Sequence, residues 1–226
     1  MQISEAVEQG REKLYTIGEE VAHAATHGLG VVLAIAGLTV MVARATLYGT
    51  FWHIVGAAIF GSTLVLMYTA STLYHSIPLP RAKKILRVID HSTIYLLIAG
   101  TYTPLTLITL EGSGGWALFI VVWVLACIGV VFKIFATGRF EKLSLAIYLA
   151  MGWCVLLVIK PVMHTMPTGG LALLIAGGLA YTGGVAFYVW ERLRYHHAIW
   201  HAFVLAGSVL QYFAVLFYVM PGAPAA

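Results

Sequence analysis

Charge is what this chain lacks most: of its 226 residues only 10% are Asp, Glu, Lys or Arg, whereas 61% are hydrophobic. With a mean hydropathy of +0.91, there is too little polar surface to coat a soluble globule. Cysteine is almost absent as well. Cys127 and Cys154 both fall inside apolar runs and show no metal-type spacing, so no disulfide framework is implied. Alternating strand patterns are missing, and the apolar runs are far longer than the strands of a membrane barrel. A helical bundle is the remaining way to satisfy the backbone in lipid. The formal net charge of +4 comes with no continuous basic face or base-stacking module, which argues against a nucleic-acid partner.

What the chain does contain is apolar length. A hydrocarbon core ~30 Å thick needs about 20 apolar residues per helix. Seven stretches meet that requirement, at Ala24–Ala43, Phe51–Tyr74, Ile89–Leu110, Trp116–Phe135, Leu143–Lys160, Leu171–Trp190 and Ala198–Val219. The predicted architecture is an all-α integral membrane protein, a seven-transmembrane helix bundle spanning residues 23–220 as one domain. A charged, roughly amphipathic segment at 1–22 precedes it, and a short tail at 221–226 follows. The first segment lacks the short apolar core and cleavage site of a secretory signal, so it is expected to be retained and to lie at the membrane surface. Basic residues concentrate in the N-terminal segment and in the connections after the second, fourth and sixth spans, which hold all of the 13 except Arg44 and Lys160. Basic connections stay in the cytoplasm. The N-terminus is therefore expected to be cytoplasmic and the C-terminus outside, in a multi-pass protein of the cell (inner) membrane.

Ionisable residues inside such spans are candidates for function, because hydrocarbon does not solvate them. His197 and His201 open the seventh span four residues apart, on one helix face. Ser71 and His75 share a face at the end of the second, and Asp90 stands at the start of the third. Alternating helix directions bring these three ends to one level. Three imidazoles with an open fourth position make the arrangement of a catalytic zinc, which lowers the pKa of bound water to ~7. Asp90 then suits a base or water-mediated ligand, and Ser71, one turn deeper than His75, can hydrogen-bond a developing oxyanion. Spacing alone also admits His23 and His27, at the start of the first span, together with His75. His53, His91 and His196 read as structural or exposed. Lys133 and Lys160 read as long side chains snorkelling to the interface. Pro104 should kink the third span, with neighbouring threonine hydroxyls taking up freed carbonyls. Gly177, Gly178, Gly183 and Gly184 in the sixth read as close helix packing.

These residues also carry a family likeness. The segments Glu19-Glu20-Val21-Ala22-His23-Ala24-Ala25-Thr26-His27-Gly28, Ser71-Thr72-Leu73-Tyr74-His75, Asp90-His91, Ala99-Gly100-Thr101-Tyr102-Thr103-Pro104 and His197-Ala198-Ile199-Trp200-His201 closely resemble the bacterial hemolysin III family. That family belongs to the wider group of progestin and adipoQ receptors and related membrane hydrolases. The resemblance implies seven helices with a cytoplasmic N-terminus, and zinc held by His75, His197 and His201 with Asp90 and Ser71 beside it. It also sets His23 and His27 outside the zinc triad. The expected activity is that of a zinc-dependent hydrolase of a lipid amide or ester, tied to membrane lipid homeostasis, with membrane lipids as partners. One alternative is a lipid-sensing, receptor-like protein with structural zinc. Another is the pore-forming cytolysin of the family name, although no span carries a polar stripe from end to end, as a pore would need.

Overall fold

The structure is a computed structural model, described here over residues 15–222. Seven helices are long and apolar enough to cross a membrane: α1 (Ile17–Tyr48), α2 (Phe51–Ser76), α3 (Pro80–Thr109), α4 (Gly115–Ala136), α5 (Glu141–Thr165), α6 (Thr168–Val189) and α7 (His196–Tyr218). No strand occurs among the described residues. Most of the expected segment at 1–22 lies outside the described residues; its last six residues belong to α1.

Each helix begins where the local chemistry allows it. Thr16 and Glu19 form a reciprocal capping box at the head of α1, the Thr16 amide donating to Glu19 Oε2 at 2.9 Å and the Glu19 amide to Thr16 Oγ1 at 3.3 Å. This places the next residue, Glu20, in the first turn. His53 caps α2, its Nδ1 accepting from the Thr50 amide at 3.1 Å, so the structural reading of that histidine holds. Pro80 opens α3 at a position where no amide hydrogen is needed. Before α7, Tyr195 takes a left-handed conformation, φ 57°, and the chain reverses there.

Two helices are broken inside the membrane. In α3 the helix after Pro104 loosens into a π turn at Leu105–Thr109. The Thr103 hydroxyl donates to the Ala99 carbonyl at 2.9 Å and the Thr106 hydroxyl to that of Tyr102 at 2.9 Å. The proline and its threonines thus act as architecture, as expected. α5 is interrupted as well: α-helix ends at Gly152, a 3-10 stretch runs Cys154–Val158, and helix resumes at Ile159, so the Leu157 carbonyl that Pro161 leaves without an amide donor falls within the break. The Tyr102 hydroxyl from α3 serves this break, donating to the Gly152 carbonyl at 2.7 Å and accepting from the Val155 amide at 2.8 Å. Backbone groups in hydrocarbon need such a partner.

Neighbours in sequence pack side by side from α1 to α4, α6 packs on α7, and α7 returns against α1. Small residues permit the close approaches. A Cβ on Gly30 would run into the Tyr68 ring, and one on Gly207 would sit 2.9 Å from the Tyr181 ring. Both tyrosines then reach Ser208 Oγ, at 2.7 and 2.8 Å. Gly177 and Gly184 lie against Gln211, Trp200 and Phe203 of α7, so the glycines of the sixth span do serve packing. The contact of α7 with α1 is what brings the heads of those helices and the end of α2 together.

Candidate metal centre

Helix direction decides which ends meet. α1 and α7 start at the end of the bundle where α2 finishes, so His23 and His27, His75, and His197 and His201 converge there. One nitrogen from each of His75, His197 and His201 lies within 4.8 Å of the others. His75 and His201 are buried and His197 is half-buried. The fold therefore brings together, from two helices far apart in sequence, the three histidines that the family resemblance implies.

Two of the three have their second nitrogen held by the protein. His75 Nδ1 lies 2.6 Å from Glu20 Oε2, whose other oxygen accepts from Lys83 Nζ at 2.5 Å. His201 Nδ1 lies 3.3 Å from the His23 carbonyl. A carboxylate or carbonyl on one imidazole nitrogen fixes the tautomer and leaves the other lone pair for a ligand. On the free side, His75 Nε2 and His197 Nδ1 are buried without a hydrogen-bond partner. Glu20 is the residue the sequence reading passed over. Its signal is positional, since Glu20, His23 and His27 recur at three- and four-residue intervals and so share one face of α1.

Around this triad the other first-span histidines pack closely. The His27 ring stacks on His201, 3.6 Å between centroids and 7° from parallel. His23 is fully buried, and neither of its ring nitrogens has a hydrogen-bond partner. Glu20, His23 and His75 form a second donor set within 4.8 Å.

Asp90, the single aspartate of the chain, is buried, and its Oδ2 is 3.7 Å from His91 Nδ1. It belongs to neither donor set. With Ser71, His197 and His201 it lines one cavity of about 510 Å³. Ser71 Oγ is buried and carries no hydrogen bond. The rest of the wall is largely apolar, including Leu149, Trp153, Leu174 and Val204. His91 Nδ1 lies 2.7 Å from the Arg87 carbonyl, and the His91 carbonyl accepts from Tyr148 at 2.7 Å. His196 Nδ1 lies 3.1 Å from the Phe187 carbonyl. Both fit the structural role expected of them.

One reading needs correction. Lys133 does not snorkel: its side chain is fully buried and its Nζ is 2.9 Å from Glu141 Oε2. The cause is tertiary, because α5 starts beside the end of α4 and presents Glu141 to it, and an ion pair with a second hydrogen bond, from the Gly138 amide at 3.0 Å, offsets part of the desolvation.

The whole arrangement can be set beside known proteins. The family model for haemolysin-III-related proteins matches residues 15–212. A hemolysin-3 homolog of Bacillus subtilis is 49% identical over 205 residues, covering 91% of this chain and 96% of its own length. Hemolysin-3 of Bacillus cereus is 47% identical over 207 residues, covering 92% and 94%. The human monocyte to macrophage differentiation factor is 28% identical over 208 residues, covering 88% and 84%. No solved structure matches.

Proposed function

The chain belongs to the haemolysin-III-related family and is a multi-pass membrane protein, and from that premise we propose that it is a zinc-dependent hydrolase of a lipid amide or ester, acting in membrane lipid homeostasis. One observation carries the reading: three imidazole nitrogens from α2 and α7 converge within 4.8 Å, and two of those histidines line the head of a largely apolar cavity. The donor set fits an ion of this kind. His75 Nε2 and His197 Nδ1 are buried and unpartnered, and imidazole ligands suit zinc.

His75, His197 and His201 hold the ion in this reading, which supplies Lewis acidity toward a carbonyl oxygen when bound. Glu20 and the His23 carbonyl orient His75 and His201 through their second nitrogens. Asp90 takes the proton of the attacking water, and Ser71, whose hydroxyl is uncommitted, donates to the developing oxyanion. The apolar wall beyond them receives the acyl part of the lipid and keeps bulk water out. The basic connections support a cytoplasmic position for this end of the bundle, in a bacterial inner membrane.

Metal analysis of the purified full chain tests the reading. About one zinc per chain is expected, and His75→Ala, His197→Ala and His201→Ala should each lose it. Full metal content in all three variants would sink the proposal. Asp90→Asn should keep its zinc and abolish the change in membrane lipid composition that the wild type produces in expressing cells. Full function in that variant would favour a lipid-sensing protein with structural zinc.

A further inference from the structure

Neither nitrogen of the fully buried His23 ring has a hydrogen-bond partner, only Nδ1 being in looser contact with a carboxylate, Glu20, and burying polar atoms without hydrogen bonds is costly. Its position suggests a use. The centroid of the His23 ring lies 4.6 Å from that of His75, 4.9 Å from His197 and 5.5 Å from His201. The triad's own separations are 5.4, 5.1 and 4.5 Å. The four rings therefore stand at the corners of a nearly regular tetrahedron. Four imidazoles on one zinc, with zinc–nitrogen bonds of about 2.0–2.1 Å, would place ring centroids about 5 Å apart. The six observed spacings bracket that value.

As the ring stands, its nitrogens are grouped with Glu20 and His75 rather than with the whole triad, and Nδ1 is 3.7 Å from Glu20 Oε2, beyond hydrogen-bonding reach. Rotation about the side-chain torsions, the outer one of which is broad for histidine, moves a nitrogen between the two. We propose that His23 supplies a displaceable fourth ligand to the metal held by His75, His197 and His201, closing the coordination sphere at rest and swinging toward Glu20 when a substrate oxygen takes its place. This inference rests on the metal reading above. Closing is ligand exchange: the imidazole displaces one water, and opening reverses it, with no change of redox state. Tyr15 backs the ring edge-on at 4.7 Å, limiting how far it can turn away.

X-ray absorption at the zinc edge of the full-length protein in lipid nanodiscs, loaded with zinc alone, counts the imidazoles directly. Four are expected in the wild type and three plus an oxygen ligand in His23→Asn. Zinc affinity in the variant should fall at least about 10-fold, the lower bound for losing even an indirect partner of a metal ligand. Cobalt substitution gives a second readout, the visible bands of the wild type changing shape in the variant. Three imidazoles in the wild type overturn the inference while the triad stands, and that count needs no variant to fold. Absence of zinc from the wild type overturns the triad reading and the inference with it.

Discussion

Glu20 shows how much of the candidate centre is decided by single side chains. One of its oxygens holds His75 and the other holds Lys83, so a carboxylate in the first turn of α1 fixes the orientation of an imidazole at the far end of α2. Replacing it with glutamine keeps the shape but removes the charge that raises ligand basicity. Glu20→Gln should therefore weaken zinc binding about 10- to 100-fold, measured by competition with a chromophoric chelator, while metal-free thermal stability changes little. Unchanged affinity would remove Glu20 from the centre. Spacing on α1 marks Glu20 only as a face-mate of His23 and His27. Its partnership with His75 joins residues 55 apart and is invisible without the fold. The same holds for Lys133, which composition assigns to the interface and the fold pairs with Glu141.

At the scale of the element, the helices were legible in their apolar runs, and the reason is length: a span long enough for hydrocarbon stands out from any loop. Their ends were less so, because capping extends a helix beyond its apolar part, as Thr16 and Glu19 carry α1 well before Ala24. The disruption at Pro104, a π turn over Leu105–Thr109, could be read because proline lacks the amide hydrogen. Pro161 marks the break in α5 by the same logic, but the Tyr102 hydroxyl from another helix that serves it at Gly152 and Val155 leaves no local sign. Tyr102→Phe leaves a carbonyl and an amide in mid-span without their partner and should cost about 1–3 kcal/mol. A lowered midpoint of thermal unfolding in detergent checks this, and an unchanged midpoint would show that the break is satisfied otherwise.

For the whole molecule, alternation of helix directions does the assembling. It puts the ends of α1, α2, α3 and α7 that bear histidine, aspartate and serine on one side, the side that also carries most of the basic residues. The bias of basic connections toward the cytoplasm predicts a cytoplasmic position for that side. With Cys127 and Cys154 replaced, single cysteines at Ser113 and Arg192 give the test: a membrane-impermeant maleimide should label Ser113→Cys on intact cells and Arg192→Cys only after lysis. The reverse pattern would place the histidine cluster outside.

Sequence alone determined the class and the number of spans, because hydrophobic length is a local property written in consecutive residues, whereas helical spacing offered His23 and His27 beside His75, His197 and His201 and did not choose among them. Which other groups meet those histidines was decided only by tertiary structure. The return of α7 against α1 sets His23 and His27 against His201, and the pairing of α1 with α2 sets Glu20 against His75. Contacts between residues scores of positions apart depend on how helices pack, and helix packing leaves no period in the sequence.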